Sequence, residues 1–552
     1  MLRRAVTIGL IFGAAGVHLA AVGVLLMLHQ RWIVVDTISL GQAVLLLIGV
    51  GAGAFTASQP KYGMIRGLIA GAAAGVPLMA LAAAIRFVPL RSVFIALTPA
   101  LREMITFGLG PGIGSAALIG GGAIAGLAGA AFRLSPLVLR NTILAGVLAV
   151  VICGVFQELI QLMLQYEGPI GDTRDFVYTW EGLSPRGAIA IFITAAACEQ
   201  VWTLVQRRRI VYLEEDVRRR QRLRRAAIAL VVLALLPAVA GSYIGQVLML
   251  VGLYILMGIG LNLEVGLAGL LDLGFVAFFA VGAYTTALLT ADSPHALAHL
   301  SYWAAMPIAV MMALLVGVIF GLPVLGVRGD YLAVATMGLG EIVRVIVVSD
   351  FAAPLLGGAQ GVLQIPKPQL GGVILGGPVS LFYLTLAFSA IAAFVAWRLE
   401  DSRLGRAWMA LRDDEDVAQS LGINLVSSKL LAYGLGAAFA GLSGSIFAVM
   451  LSSVYPSSFQ LLISINVLAL IIVGGMGSLP GVVLGSVALI GLPELLREFG
   501  EYRYLFYGAV LIVMMQLRPE GLWPSEVRRR ELHSADNTAV DQGSDMLPAQ
   551  PS

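Results

Sequence analysis

The sequence predicts an all-α polytopic membrane protein with about 16 transmembrane helices, six in a first block and ten in a second. Three observations predict it. Of 552 residues, 59% are hydrophobic and only 12% are charged, and with a mean hydropathy of +0.91 the chain lies outside the range of soluble globular domains. Apolar runs of about 20 residues, the length that crosses a hydrocarbon core of about 30 Å, recur along it. Lys and Arg gather in alternate loops, as the positive-inside rule requires.

By that ruler the first block, 1–205, has spans near 5–28, 36–57, 64–85, 112–132, 137–164 and 187–205. The first follows Arg3 and Arg4 as a signal peptide would, but its apolar run is too long and ends in LHQRW with no small-residue cleavage pattern, so it reads as a retained helix. Lys61, Arg66, Arg133 and Arg140 fall on the inner side, and the acidic loop YEGPIGDTRDFVYTWEG fits outside. Arg86, Arg91 and Arg102 break the alternation; a segment lying in the membrane interface accounts for them. Residues 206–225 are Arg-rich and free of Gly and Pro, a solvated helical linker with affinity for anionic lipid heads.

The second block, 226–525, has spans near 226–243, 246–263, 268–290, 303–325, 331–350, 376–397, 428–451, 462–477, 480–496 and 503–517. This count puts both termini on the cytoplasmic side. Residues 526–552 form a polar tail with the composition of a disordered segment. Gly122 to Gly126, and Gly436, Ala440 and Gly444, are small-residue ladders that let helices approach closely in lipid.

Several function classes are excluded. A net charge of +3 offers no basic field for nucleic acid. Cys153 and Cys198 lie in apolar segments, with no disulfide or metal-ligand spacing. The three lysines, Lys61, Lys367 and Lys429, each lack the preceding glycine of a phosphate-binding loop. The five histidines form no metalloprotease pair, and no nucleophile elbow has partners. The chain is therefore expected to be no enzyme and to hold neither cofactor nor metal; any ATP and Mg would sit on a partner.

One stretch departs from the apolar background: GRAWMALRDDEDVAQSLGIN, 405–424. Arg398 to Arg412 can extend the preceding span into water. Asp413 or Asp414 can cap a new short helix, with Glu415 and Asp416 in its first turn where the helix dipole favours carboxylates. Val417, Ala418 and Leu421 offer an apolar face, and Gly422 supplies a stop. A second stretch, GLNLEVGLAGLLDLGFVAFFAVGAYTTALL at 260–289, carries glycines at 260, 266, 269 and 274, a spacing that points to broken or closely packed helices.

The second stretch, followed in order by GVRGDYLAVATMGLGEIVRVI (326–346), the charged loop with KLLAYGLGAAFAGLSGSIFA, VLALIIVGGMGSLPGVVLGS (467–486) and RPEGLWP (518–524), resembles the permease subunits of branched-chain amino-acid ABC transporters. The resemblance covers about 226–525 and leaves 1–205 out. It implies a bacterial inner-membrane permease domain that works with a second, related permease, two cytoplasmic ATPase subunits and an external solute-binding protein. Branched-chain or other amino acids are the implied solutes, with urea or short amides as the alternative. It also implies that the charged loop is the coupling loop on which the ATPases dock, carried by Arg406, Arg412, Asp413, Asp414, Glu415, Asp416, Val417, Ala418, Leu421 and Gly422; DVAQSLG loosely matches the EAA-x-x-x-G signature of importer permeases.

Where the family commonly reads GYAGQLSLGH this chain has GLAGLLDLGF, so Leu270, Asp272 and Phe275 replace polar residues. A carboxylate at membrane depth costs about 2.5 to 3.5 kcal/mol on insertion scales and faces a partner or a wet cavity. Asp272 is thus the leading candidate for the translocation path, with Asn262, Gly266, Gly269 and Gly274 beside it. Glu264 is expected near the cytoplasmic end of its span, where a snorkelling surface role fits equally. Glu341 and Arg344, at i and i+3, read as a mutually neutralising pair.

A different class remains open: an ion-coupled secondary transporter in which Asp272 or Glu264 binds a proton or Na⁺. The absence of two equivalent halves argues against it. In the first block, Glu158 and Glu199 each stand beside a glutamine, which suggests polar contacts between helices; the block reads as a structural appendage, a docking site or a fused small membrane protein.

Overall fold

The computed structural model describes residues 2–57, 62–87, 94–163, 174–207, 215–324, 326, 327, 329–500, 502–518 and 520–524. Arg91, Arg328, residues 164–173 with the first part of the acidic loop, part of the linker and the tail beyond Pro524 lie outside them. Among the described residues, 10 helices are long and apolar enough to cross a membrane, and four shorter apolar helices accompany them. The chain is an all-α polytopic membrane protein that divides into two compact units, Met1–Arg224 and Arg225–Ser552.

In the first unit, helices Leu2–Ala21, Leu40–Thr56, Gly63–Phe87 and Pro111–Leu134 pack through glycine. A Cβ on Gly71 would stand 2.0 Å from the Gly122 carbonyl oxygen, and one on Gly126 would stand 2.2 Å from that of Gly67. The Gly122 to Gly126 ladder is therefore a backbone-to-backbone contact, the kind that gains dispersion energy where lipid offers no hydrophobic drive. Two expected spans are broken: 5–28 divides at Gly23, whose φ is +89, and 137–164 divides at Phe156. Arg102 lies on a short helix, Pro99–Ile105, capped by Thr98 and holding Leu101, Met104 and Ile105 inward.

A small four-stranded sheet joins two loops of this unit. Trp32–Val34 pairs antiparallel with Ile38–Ser39 and parallel with Gly182–Leu183, which pairs in turn with Tyr178–Thr179. Both loops thus lie at the same end of the bundle, as the alternation of charge requires. Glu158 faces Arg31 there, 3.8 Å away, rather than sitting deep in a span. Of the neighbouring glutamines, Gln200 makes an interhelical contact, donating from Nε2 to Thr142 Oγ1 at 2.6 Å, whereas Gln157 Nε2 donates to the Glu181 carbonyl in the strand turn at 3.3 Å. Cys198 is exposed and Cys153 half-buried.

The second unit opens on two helices that part at Gly241, where φ is +83, close to the expected boundary between the spans 226–243 and 246–263. Its core is built around helix Leu425–Leu451. A Cβ on Gly444 would meet the Phe279 carbonyl oxygen at 2.0 Å, and one on Gly282 would meet that of Gly441 at 2.2 Å, so helix Val276–Thr290 lies directly on it. Lys367 Nζ donates to the Val449 and Met450 carbonyls at 2.6 and 2.8 Å and closes the helix C-terminus; burial lowers the pKa of this ammonium from its ordinary value. The GGMGSLPG turn and the RPEGLWP segment pack together: Leu522 and Trp523 N–H donate to the Val473 and Gly474 carbonyls, both at 2.8 Å.

Gly71→Leu is expected to destabilise the first unit by about 3 kcal/mol through overpacking against backbone, whereas Gly120→Leu, where a Cβ meets nothing within 4 Å, is expected to be silent. Thermal unfolding of the detergent-solubilised protein checks this; equal midpoints for the two variants would refute the packing account.

Candidate functional site

The charged loop is two helices, not a continuation of the preceding span. Helix Pro378–Glu400 stops, Ser402 caps a new amphipathic helix Arg403–Asp413 by accepting from Gly405 N–H, and Arg406 Nη1 donates to the Asp401 carbonyl at 3.0 Å. The expected extension from Arg398 to Arg412 is thus corrected: a serine cap is locally cheaper than carrying an apolar helix into water. Trp408 is fully buried and its Nε1 donates to the Ser428 carbonyl at 2.9 Å, which fastens this helix to the start of Leu425–Leu451.

The second helix, Glu415–Ser420, has the expected cap. Asp414 Oδ1 accepts from Asp416 and Val417 N–H at 2.9 and 3.0 Å, with Glu415 and Asp416 in the first turn. Gly422, at φ +85, ends it, and Ile423 N–H returns to the Ala418 carbonyl at 3.1 Å. Ala418 turns inward. Val417 and Leu421 are 54% and 74% exposed and form an uncovered apolar patch. Glu415 Oε1 reaches Lys429 Nζ at 2.7 Å, with only 5% of the lysine side chain exposed.

The glycine-rich stretch is a broken helix. Residues Asn262–Leu267 widen into a π-helical turn, Gly269 takes φ of +73, and regular helix resumes at Val276. Such a break leaves backbone groups that lipid cannot satisfy. Asn262 Oδ1 accepts from Gly477 N–H at 2.8 Å, Thr336 Oγ1 from Leu273 N–H at 3.0 Å, Asp272 Oδ1 from Gly274 N–H at 2.6 Å, and Ser464 Oγ from Val276 N–H at 2.9 Å. Glu264 is fully buried against Gly436, where a Cβ would overlap its Oε1. The surface role is therefore corrected: the π turn rotates Glu264 inward. The buried Glu264 and Asp272 carboxyls face one another and share a hydrogen bond, and Asp272 lines one small cavity with Tyr433, Thr336 and Phe320.

The two features touch. Arg412 Nη1 donates to the Gly266 carbonyl at 3.0 Å, its Nη2 lies 3.4 Å from Asp413 Oδ1, and a Cβ on Gly269 would stand 2.8 Å from Arg412 Cγ. On the far side of the break, a Cβ on Gly274 would meet the Thr336 carbonyl oxygen at 2.1 Å. Residues of the loop, the break and helix Asp330–Val348 therefore form one continuous line of contact.

Comparison with known proteins decides the family. Residues 243–515 match the permease component of branched-chain amino acid transport systems. The chain is 37% identical over 340 residues to the high-affinity branched-chain amino acid permease protein LivM of Escherichia coli, a match covering 52% of this chain and 78% of that protein. The chain belongs to this permease family. LivM of Salmonella typhimurium is 38% identical over the same coverage, and the permease protein LivH of Escherichia coli is 27% identical over 176 residues, or 31% of this chain and 55% of LivH. No solved structure matches the permease.

Of the residues singled out in the sequence, the permease brings Asn262, Gly266, Gly269, Asp272 and Gly274 into the break and Arg412 onto it; Arg406 and Asp413 to Asp416 organise the loop itself. Sequence reasoning missed Trp408, Lys429, Thr336, Tyr433 and Gly477. For Lys429 a signal existed, because an ammonium five residues into an apolar span requires a carboxylate nearby. Lys429→Met, which strands the partner of a mostly buried ion pair, is expected to cost about 3 kcal/mol, and Asp414→Ala, which removes an exposed cap, about 1 kcal/mol. Unfolding midpoints in detergent check the order of the two; a milder effect for Lys429→Met would refute the anchoring role.

Proposed function

We propose that this permease is the membrane subunit through which an ATP-driven importer passes branched-chain amino acids inward. It works with a second, LivH-like permease, two cytoplasmic ATPases and an external solute-binding protein. The observation that carries the reading is the Arg412 hydrogen bond to Gly266, because it ties the loop suited to docking a motor directly to the broken helix. The ATPases, which hold ATP and Mg, grip the exposed Val417 and Leu421 patch. Their closure moves the loop helices, and Arg412 carries that motion into Asn262–Gly274, the flexing wall of the path. In this orientation both termini are cytoplasmic, and this chain takes no part in hydrolysis.

In proteoliposomes holding all subunits, Leu421→Asp is expected to abolish ATPase association. Arg412→Ala is expected to leave association intact and to lower leucine uptake per ATP by about tenfold, equivalent to about 1.4 kcal/mol of lost coupling. Unchanged uptake in Arg412→Ala would overturn the coupling route. The buried pair of carboxyls, Glu264 and Asp272, favours one rival, the ion-coupled transporter. Uptake by this chain alone, driven by a proton or Na⁺ gradient without ATPases, would establish that rival instead, and uptake of urea but not leucine would reassign the solute.

A further inference from the structure

Glu264 stands in the π turn before Gly269 and Asp272 follows it, and the two residues are 0% and 1% exposed. Their carboxyls meet across the break in a shared hydrogen bond. Carboxylates only accept, so a hydrogen bond between two of them requires a proton on one. The neighbouring cations are engaged elsewhere: Arg412 holds the Gly266 carbonyl and Asp413, and Lys429, one turn before Tyr433, holds Glu415. Among the described residues neither acid has an ion pair, and the groups that reach them from helices Leu425–Leu451 and Asp330–Val348 are the uncharged Tyr433 and Thr336. Asp272 Oδ1 accepts from Gly274 N–H at 2.6 Å, a donor that suits a carboxylate. Glu264 instead lies against the Gly436 backbone, where a Cβ would overlap its Oε1. The proton therefore belongs on Glu264.

The Tyr433 hydroxyl supplies a second, independent observation. It belongs to a residue only 3% exposed and is buried with no partner in the protein. It lines the cavity it shares with Asp272, Thr336 and Phe320, which has room for about one water. A phenol O–H left unmatched beside a carboxylate is costly, and one water that accepts from Tyr433 and donates to Asp272 removes the cost. We propose that Glu264 and Asp272 form a proton-binding site that clasps the broken helix: Glu264 carries the proton and donates it to the Asp272 carboxylate, and a water in the cavity links that carboxylate to Tyr433. With the proton bound, the two limbs on either side of Gly269 are held together. Its release to water leaves two adjacent carboxylates that repel, and the limbs part. Arg412 touches the same stretch at Gly266, so the proton sets the stiffness of the segment that the charged loop contacts.

The test uses the full chain in lipid nanodiscs and needs neither solute nor ATP, so its failure leaves the importer reading standing. The probe is the proton itself, read as the infrared C=O band of a protonated carboxyl and its shift in D₂O. At about pH 7, above the ordinary carboxyl range of about 4, the wild type is expected to show this band and Glu264→Gln to lose it. Asp272→Asn is expected to keep it at a shifted frequency, because the proton stays on Glu264 and loses only its ionised acceptor. Tyr433→Phe is expected to move the band without removing it. Unfolding gives a separate readout. The folded chain holds a proton that the unfolded chain has released, so stability falls as pH rises, and the ratio of folding constants of wild type to Glu264→Gln is expected to drop about tenfold per pH unit between about pH 5 and pH 7. A band that survives Glu264→Gln, or a flat ratio, overturns the proton site, and a band unmoved by Tyr433→Phe overturns the water link. Should Glu264→Gln not fold, Asp272→Asn decides alone: loss of the band there overturns the placement of the proton on Glu264.

Discussion

A helix that stops inside a bilayer leaves amides and carbonyls that water cannot reach, and the cost of leaving them unpaired constrains everything around the stop. The second unit is organised by that constraint. Besides bonds within the break, such as Gly274 N–H to Asp272, groups between Asn262 and Val276 find partners on three neighbouring elements: Ser464 on helix Leu461–Gly474 and Gly477 in the turn after it, Thr336 on helix Asp330–Val348, and Arg412 on the loop. The break is thus a junction, and no neighbouring element can shift without changing who satisfies it.

That junction explains why several short motifs occur together in one chain. The GGMG turn is glycine-rich because a Cβ on Gly266 would fall 2.7 Å from Gly477 N, and because Gly521 must pass within van der Waals distance of Gly475. RPEGLWP then closes the turn from the other side. On the opposite flank, Gly274 admits the Thr336 carbonyl, and one turn further along that helix lie Gly340 and the Glu341 and Arg344 pair. The acids Glu264 and Asp272, buried together beside the break, satisfy one another there rather than reaching bulk water.

Much of this was legible in the sequence because the signals were local. Asp414 as cap, Gly422 as stop and the glycine-interrupted stretch each depend on residues within a turn or two, and the structure has them as read. The remainder depended on long-range pairing. Lys429 finds Glu415 and Trp408 finds Ser428 only after the chain has turned back on itself. The burial of Glu264 was not legible because a π turn adds a residue to the helical period and changes the face on which the side chain lies. The sheet of the first unit was invisible, since strands of two or three residues carry no alternation to read.

Gly405 gives the loop its mechanical character. The carbonyl oxygens of Leu399 and Glu400 stand 2.3 and 2.4 Å from where its Cβ would be, so the corner between the long helix and Arg403–Asp413 is closed against its own backbone and has no slack. A segment joined by slack would stretch before transmitting force. Under the importer reading proposed above, a push at Val417 and Leu421 would turn the loop about the buried Trp408, and the torque would emerge at Arg412, on the opposite side of the pivot from the rigid corner.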